Sequence, residues 1–152
     1  MQAEDWPAVE AIYKEGIATA NATFETESPG WEKWHANHHQ HSRLVVRTEA
    51  NIVAWAALSR VSPRQVYAGV AEVSIYVAAP VRGTGIGKAL LKALIEQSEQ
   101  NGIWTLQAAV FPENTSSIAL HKSWGFREVG LREKIGRLGG HGRNIFLLER
   151  EV

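Results

Sequence analysis

The 152-residue chain has no cysteine, a single methionine and no net formal charge. The lack of cysteine excludes disulfide bonds, thiolate metal sites and a cysteine nucleophile. Sixteen basic residues balance sixteen acidic residues, and no long run of one sign indicates a nucleic-acid-binding surface. No apolar run approaches the roughly 20 residues of a membrane span. We therefore expect a cytoplasmic protein whose partner is a small molecule, not nucleic acid or a membrane.

The polar and apolar pattern predicts one mixed α/β domain over residues 1–152. Asp5 and Pro7 predict the N-cap and the first turn of a helix. A second helix is expected near Ser28, because aromatic and histidine residues then recur at helical spacing. The remaining predicted elements are strands at 44–47, 52–59 and 70–77, a helix at 87–102, a strand at 103–111, a helix at 116–124, and strands at 126–135 and 144–150.

A glycine-rich loop, residues 82–87, joins the strand at 70–77 to the helix that follows. Such a junction aims free backbone N–H groups and the positive end of the helix dipole at one point, which predicts a site for a phosphorylated ligand. The glycine spacing matches neither a P-loop nor a dinucleotide fingerprint. It does match the pattern [QR]-x-x-G-x-[GA], through Arg82, Gly85 and Gly87.

A second motif runs from Asn114 to Phe126 and reads N-x-x-S-x-x-L-H-x-x-x-G-F. Its S, H and G are Ser117, His121 and Gly125. Together, the two motifs resemble those of the GCN5-related N-acetyltransferases. The resemblance implies the acyl-CoA N-acyltransferase fold of that family, a mostly antiparallel mixed sheet flanked by helices. It also implies acetyl-CoA as co-substrate and no metal. Family members begin with a strand that has no counterpart here, so we expect it to be absent, through truncation or an internal start.

The family resemblance assigns cofactor contacts to three stretches of this chain. The strand before the glycine loop is expected to splay from its neighbour and bind pantetheine through its backbone, with the Val77 N–H as oxyanion donor. The glycine loop is expected to bind the pyrophosphate, and the start of the second motif to bind the pantetheine or phosphate arm. The expected contacts are Ile75, Tyr76, Val77, Arg82, Gly83, Thr84, Gly85, Ile86, Gly87, Lys88, Asn114 and Ser117.

Residues 72–77 look like the E-x-S-V-Y-V strand of the phosphinothricin and methionine sulfoximine acetyltransferase subfamily. In that subfamily the glutamate is the proposed general base, which makes Glu72 the catalytic candidate; the alternative is a Glu in an ordinary ion pair or at a solvated edge. His121 stands where many relatives have a tyrosine that protonates the CoA thiolate. An imidazole can donate a proton near neutral pH, so His121 is either a catalytic or substrate-contacting residue or a surface histidine.

The same resemblance points to an acceptor pocket that includes Glu72. Phe24 lies in a loop similar to the one that closes over substrate in the subfamily. Arg64 and Tyr67 precede the Glu72 strand, and an arginine there could bind an amino-acid carboxylate; a solvated loop arginine is the alternative. Arg143 and the residue after it replace an aromatic-Asp pair, which leaves the acceptor open. A homodimer is expected, because this region contributes to a dimer-related pocket in relatives.

Three further functional alternatives remain at this level. The chain could acetylate the N-terminus of a protein or peptide, or it could be a non-catalytic acyl-CoA sensor, against which Glu72 argues. A metal site is the third, because the histidines at 35, 38, 39 and 41 are closely spaced. Neither a cysteine nor an intervening carboxylate accompanies them, and histidines are common at helix ends. The preferred interpretation is therefore acetyl transfer to the amine of a small molecule, an amino-acid analogue such as phosphinothricin or methionine sulfoximine.

Overall fold

A computed structural model describes all residues from 1 to 152. Four helices and six strands occur in the predicted order, preceded by a short 3-10 turn and no strand. The elements are α1 (Trp6–Ala18), α2 (Trp31–Asn37), β1 (Leu44–Thr48), β2 (Asn51–Arg60), β3 (Val70–Val77), α3 (Ile86–Gln100), β4 (Thr105–Val110), α4 (Thr115–Ser123), β5 (Arg127–Leu138) and β6 (His141–Glu151).

The strands form one sheet in the order β1-β2-β3-β4-β6-β5. Every neighbouring pair is antiparallel except β3 and β4, which are parallel. That parallel pairing is short, since it joins residues 70–72 to residues 105–107 and then stops. Beyond it the two strands diverge, and β4 continues beside β6 alone. The mixed, mostly antiparallel fold is thus confirmed, with a gap in the middle of the sheet.

Helices cover both faces of the sheet because the central strands alternate their buried side chains. On one face, α3 packs Leu91 and Leu94 against Leu58 and its neighbours in the larger core. On the other, α1 and α2 pack against Trp55 in a smaller aromatic core. Burying one such leucine contributes about 1.5–3 kcal/mol. The sheet is therefore held between two helical layers, which fixes the position of the central gap.

Asp5 is the N-cap residue of α1 and Pro7 lies in its first turn, as predicted, although the Asp5 side chain makes no capping hydrogen bond. Its carboxylate accepts a hydrogen bond from the Gln2 N–H and pairs with Arg47. Other predicted details of the elements were wrong. The second helix begins after Gly30, whose φ is +81°, and not at a Ser28 cap. The last two strands are longer than predicted, because they form one hairpin that turns at 139–140. None of the helices has the length and apolar character needed to cross a membrane.

Candidate active site

The gap between β3 and β4 opens into a cavity of about 900 Å³. Its walls are the second halves of the two strands, the glycine loop, the start of α4 and the loop that follows α1. A cleft of this size is within the roughly 300–1,000 Å³ range of ligand sites. Sequence-predicted residues that line it are Phe24, Glu72, Ile75, Tyr76, Val77, Arg82, Gly83, Gly85, Gly87, Lys88, Asn114, Ser117 and His121.

The backbone of β3 presents polar groups to this cleft. The Ala78 N–H donates to the Val53 carbonyl at 2.8 Å, so the hydrogen-bonded pairs between β2 and β3 include Tyr76 with Trp55 and alternate from there. Val77 and Ile75 occupy the intervening positions and turn their backbone groups away from β2. Because β4 has diverged at that level, these groups face the gap instead of a strand partner. The predicted splay is present in the structure.

The glycine loop leaves a series of backbone donors free. From residue 83 to residue 88, no backbone N–H donates to any acceptor within the chain. Gly83 and Gly85 have φ values of +78° and +87°, a conformation that other residues adopt only with strain. Since α3 begins at Ile86, the free N–H groups surround the positive end of its dipole. The loop is therefore built to bind an anion such as a phosphate.

Arg82 is held in place beside this loop. Its Nε donates to the Val77 carbonyl at 3.0 Å, and its Nη2 lies 3.5 Å from the Glu15 Oε1. Glu15 also accepts a hydrogen bond of 2.7 Å from the Ala79 N–H. The carboxylate of α1 thus links the end of β3 to the guanidinium. The other guanidinium donors of Arg82 remain available to an anion at the loop.

Glu72 lies on β3 where its pairing with β4 ends. Its Oε1 accepts a hydrogen bond of 2.8 Å from the Gln107 Nε2, which fixes the carboxylate from the neighbouring strand. The side chain is half-buried and lines the large cleft. It also lines a second cavity of about 260 Å³, beneath α2. Glu72 therefore lies where the two cavities meet.

His121, on α4, is only 2% exposed and packs edge-on against Phe126. Its Nδ1 lies 2.7 Å from the Ser117 carbonyl, which can only accept, so Nδ1 carries the proton. Burial lowers the pKa of His121, and the hydrogen bond to Ser117 opposes this only in part. Its Nε2 is buried without a partner. The ring is therefore neutral near pH 7, with a lone pair on Nε2.

The loop after α1 is tied across the cleft by contacts to the closing hairpin. Phe24 packs edge-on against Phe111 with ring centroids 4.8 Å apart, and it occupies the space beside Gly136 that a Cβ would fill. Arg143 is 17% exposed and donates to the Ala20 carbonyl at 2.8 Å. The same guanidinium bonds Asn21 Oδ1 and Glu113 Oε2 and lies over the Phe111 ring. Arg143 thus holds the loop after α1 against the closing hairpin.

Four sequence-predicted residues do not line either cavity. Arg64 is exposed and lies over the ring of Tyr67, itself 45% exposed, in the loop before β3. The structure of the single chain therefore does not support the prediction that Arg64 and Tyr67 bind substrate. Thr84 turns its hydroxyl to the Val81 carbonyl, and Ile86 packs on the larger core. These two can reach a ligand through their backbone N–H groups.

The histidine cluster is organised around an arginine. Arg43 donates to the carbonyls of His35 and His38, both at 2.9 Å, and to that of His39. Its guanidinium also lies 2.7 Å from the His35 Nδ1 and faces the Trp34 ring. No three or more histidine and acidic side chains converge as a metal site. The cluster closes the end of α2 by satisfying its free carbonyl groups.

Sequence reasoning missed three residues of this site. Gln107 could have been found, because Thr105 and Gln107 are alternate polar positions on a strand that otherwise reads as apolar. Glu15 carried no signal, since its partner Arg82 is 67 residues away. Lys33 on α2 lines the smaller cavity and looked like an ordinary surface lysine. Contacts between distant segments place Gln107 and Glu15, and the packing of α2 on the sheet places Lys33.

Comparisons with known proteins agree with this geometry. Residues 6–126 match the model of the acetyltransferase (GNAT) family. YwnH of Bacillus subtilis, named as a candidate phosphinothricin acetyltransferase, is 33% identical over 97% of this chain and 94% of its own length. An L-methionine sulfoximine/L-methionine sulfone acetyltransferase of Pseudomonas paraeruginosa is 28% identical over 95% of this chain and 88% of its own.

Solved structures give the same picture. A phosphinothricin acetyltransferase from Sinorhizobium meliloti in complex with acetyl-CoA has a TM-score of 0.89 and 28% identity, covering 100% of this chain and 85% of that one. A ribosomal-protein-alanine N-acetyltransferase from Brucella melitensis has a TM-score of 0.91 and 28% identity, covering 100% and 97%. The similarity thus spans relatives that are named for small acceptors and one that is named for a protein acceptor.

Proposed function

Because the chain belongs to the acetyltransferase (GNAT) family, we propose that it acetylates the amine of a small molecule, an amino-acid analogue such as phosphinothricin or methionine sulfoximine. The chain is an N-acetyltransferase that uses acetyl-CoA. The observation that carries the proposal of a small acceptor is the position of Glu72, at the junction of a large cleft and a small one.

The large cleft suits acetyl-CoA. The free N–H groups of residues 83–88, together with Arg82 and Lys88, would bind the pyrophosphate. The backbone groups of Ile75 and Val77, with Tyr76 between them, would bind pantetheine in the gap that β4 leaves. Asn114 and Ser117 would hold the same arm from the start of α4. Acetyl-CoA supplies an activated thioester, and the C–N bond to the acceptor forms as the C–S bond breaks.

In this proposal Glu72 is the general base. An acceptor amine enters as an ammonium ion and must lose one proton to become a nucleophile. Glu72, held by Gln107, accepts that proton directly or through a water molecule. The nitrogen loses a second proton when the amide forms, and the thiolate takes one up. Each turnover therefore releases one proton net, and no covalent enzyme intermediate is needed.

We assign two supporting roles around this base. The Val77 N–H, turned toward the gap, would donate to the oxyanion that develops on the acetyl carbonyl. His121 would accept a hydrogen bond from a substrate through Nε2 and would not protonate the CoA thiolate. Burial keeps the ring neutral, and its Nδ1 proton is donated to the Ser117 carbonyl. Phe24 would wall the acceptor side of the cleft.

The alternative of an N-terminal protein acetyltransferase is favoured by the likeness to the Brucella melitensis enzyme. A protein substrate needs an open channel beside the base, whereas the cavity beyond Glu72 holds about 260 Å³ and is covered by α2. That difference supports the small acceptor. A non-catalytic sensor is less consistent with a glutamate fixed at the cavity junction by a dedicated partner.

We also propose that the protein is a homodimer. The strand β5 lies at the edge of the sheet, and three large apolar side chains on it, Val129, Leu131 and Ile135, are 43–47% exposed. A sheet edge with exposed apolar side chains is a typical surface for a second copy. Sedimentation of the wild type and of Leu131→Lys tests this, since the substitution would shift a dimer toward monomer.

The experiment that tests the function measures CoA thiol release from acetyl-CoA with a chromogenic thiol reagent. The acceptor panel contains phosphinothricin, methionine sulfoximine, methionine sulfone, free amino acids, aminoglycosides and short peptides. Because the chain has no cysteine, the protein adds no thiol background. We expect saturable release with an amino-acid analogue. Thiol release with peptides alone would favour the protein acetyltransferase instead. No thiol release with any acceptor of the panel would contradict the proposal.

A further inference from the structure

The smaller cavity, which we call the α2 pocket, lies between α2 and the sheet. Thirteen residues line it, and it meets the large cleft at four of them. Its volume of about 260 Å³ is below the range of drug-sized sites, so it fits only a compact ligand. The shared residues are Thr23, Glu72, Ser74 and Tyr76.

Aromatic side chains form the walls of the α2 pocket. Trp55 stacks on Tyr76 with ring centroids 4.9 Å apart and meets Tyr13 edge-on at 5.7 Å. Trp34 closes the pocket from α2 and is 1% exposed, as is Trp55. The Nε1 donors of Trp34 and Trp55 are both buried without a hydrogen-bond partner. Leaving such donors unpaired is costly, which indicates that a group with acceptor atoms belongs nearby.

The α2 pocket has both positively and negatively charged side chains in its lining, which suits a zwitterionic ligand. Lys33 and Asn37 lie one turn apart on α2, and neither side chain has an ion-pair or hydrogen-bond partner in the chain. Glu72 lines the pocket from β3, and Glu25 lines it from the loop after α1. The one histidine in the lining, His38, donates Nδ1 to the Trp34 carbonyl, and burial lowers its pKa, so it adds no charge.

From this arrangement we propose that the α2 pocket binds the acceptor as a free α-amino acid, with its carboxylate at Lys33 and Asn37 and its amino group at Glu72. The inference rests on the proposed acetyl transfer and adds to it the residues that would bind the carboxylate and the amino group of the acceptor. It replaces Arg64, which lies outside both cavities, as the carboxylate-binding residue. A peptide N-terminus has an amide where the amino acid has its carboxylate, so the pocket would discriminate against peptides.

The test is a binding titration that needs no turnover. The two ligands are L-methionine sulfone and the amine that lacks its carboxylate, 3-(methylsulfonyl)propylamine. The readout is the set of indole N–H signals in ¹H–¹⁵N spectra, assigned with Trp34→Phe and Trp55→Phe. The proteins are the wild type, Lys33→Gln, Lys33→Arg as the conservative variant, Arg64→Gln as a control outside the pocket, and Arg132→Gln as the competing cation of the large cleft.

We expect L-methionine sulfone to shift the Trp34 and Trp55 indole signals. Lys33→Gln should raise the Kd for the sulfone at least fivefold, whereas Lys33→Arg should bind it as the wild type does. The amine should bind wild type and Lys33→Gln equally, and Arg64→Gln and Arg132→Gln should behave as wild type. The inference is overturned if the sulfone fails to bind or if it shifts the signals of other indoles instead. It is also overturned if Arg132→Gln, and not Lys33→Gln, raises the Kd for the sulfone.

Thiol-release assays on the same variants separate this inference from the proposed function. Turnover of the sulfone with an unchanged KM in Lys33→Gln would leave the transferase intact and remove the subsite. Binding of the sulfone in the α2 pocket without thiol release from any acceptor would leave the subsite and remove the proposed activity.

Discussion

The Gln107 Nε2 donates to the Glu72 Oε1 at 2.8 Å, across the last pair of residues at which β3 and β4 remain in register. One strand pair thus provides the carboxylate, its partner and the beginning of the gap. Both residues lie on paired strands and not on a loop, so the proposed general base, Glu72, is held in one geometry relative to an incoming amine.

Replacing Arg82 should weaken acetyl-CoA binding. Arg82→Gln removes a cation that Val77 and Glu15 hold beside the free N–H groups of the glycine loop. Losing a charge-assisted contact to a phosphate costs roughly tenfold in affinity. Calorimetric titration with CoA measures it, and Arg127→Gln, a surface arginine paired with Glu149, is the matched control. Equal affinity in the two variants would exclude Arg82 from the phosphate site.

Removing Arg143 should release the loop after α1. The guanidinium joins Ala20, Asn21 and Glu113 across the cleft, so Arg143→Ala leaves the loop with the Phe24 packing and the Asn114 contact to Asn21. We expect faster proteolytic cleavage within residues 19–27 and a several-fold higher acceptor KM. Arg137→Ala, on the same hairpin, serves as the control. Unchanged cleavage would show that the Phe24 packing and the Asn114 contact are enough to hold the loop without Arg143.

The pH dependence of the rate tests the role of His121. Its lowered pKa leaves few protonated rings above pH 7, so a proton donor there would lose activity as pH rises toward and past neutrality. We expect kcat to stay level or rise from about pH 5.5 to about pH 8, a range that covers the ordinary histidine pKa of about 6.5 and values below it, toward which burial shifts His121. His121→Asn should preserve the shape of the profile. A falling limb in wild type that His121→Asn abolishes would make His121 the acid.

Stability should fall in mild acid. Burial lowers the pKa of His38, His39, His41 and His121 in the folded chain. In the unfolded chain these histidines take up protons near the ordinary histidine pKa of about 6.5. The free energy of unfolding should therefore decrease as pH falls below about 6.5, and the histidines should not affect it above that pH. Urea unfolding at pH 7.5 and pH 5.5 measures the difference. His141→Gln, at the exposed hairpin turn, should leave it unchanged, and equal stability at both pH values would contradict the account.

The sequence was sufficient for the element order and for much of the site. The glycine loop and the alternation on β3 are local patterns, which is why Arg82, Gly85 and Glu72 could be placed from spacing and resemblance. The Arg64 prediction found no support, because a loop residue's orientation depends on tertiary contacts that no local pattern encodes. Gln107, Glu15 and Lys33 owe their positions to strand register and helix packing over long sequence distances.

The most direct test of the central claim is Glu72→Gln, assayed by thiol release with a saturating acceptor and by calorimetric titration with acetyl-CoA. The amide keeps the size and can keep a hydrogen bond to Gln107, but it cannot accept the ammonium proton. We predict a fall in kcat of about 100-fold or more, as for a lost general base, with the Kd for acetyl-CoA changed by less than about twofold. Full activity in Glu72→Gln would contradict the account.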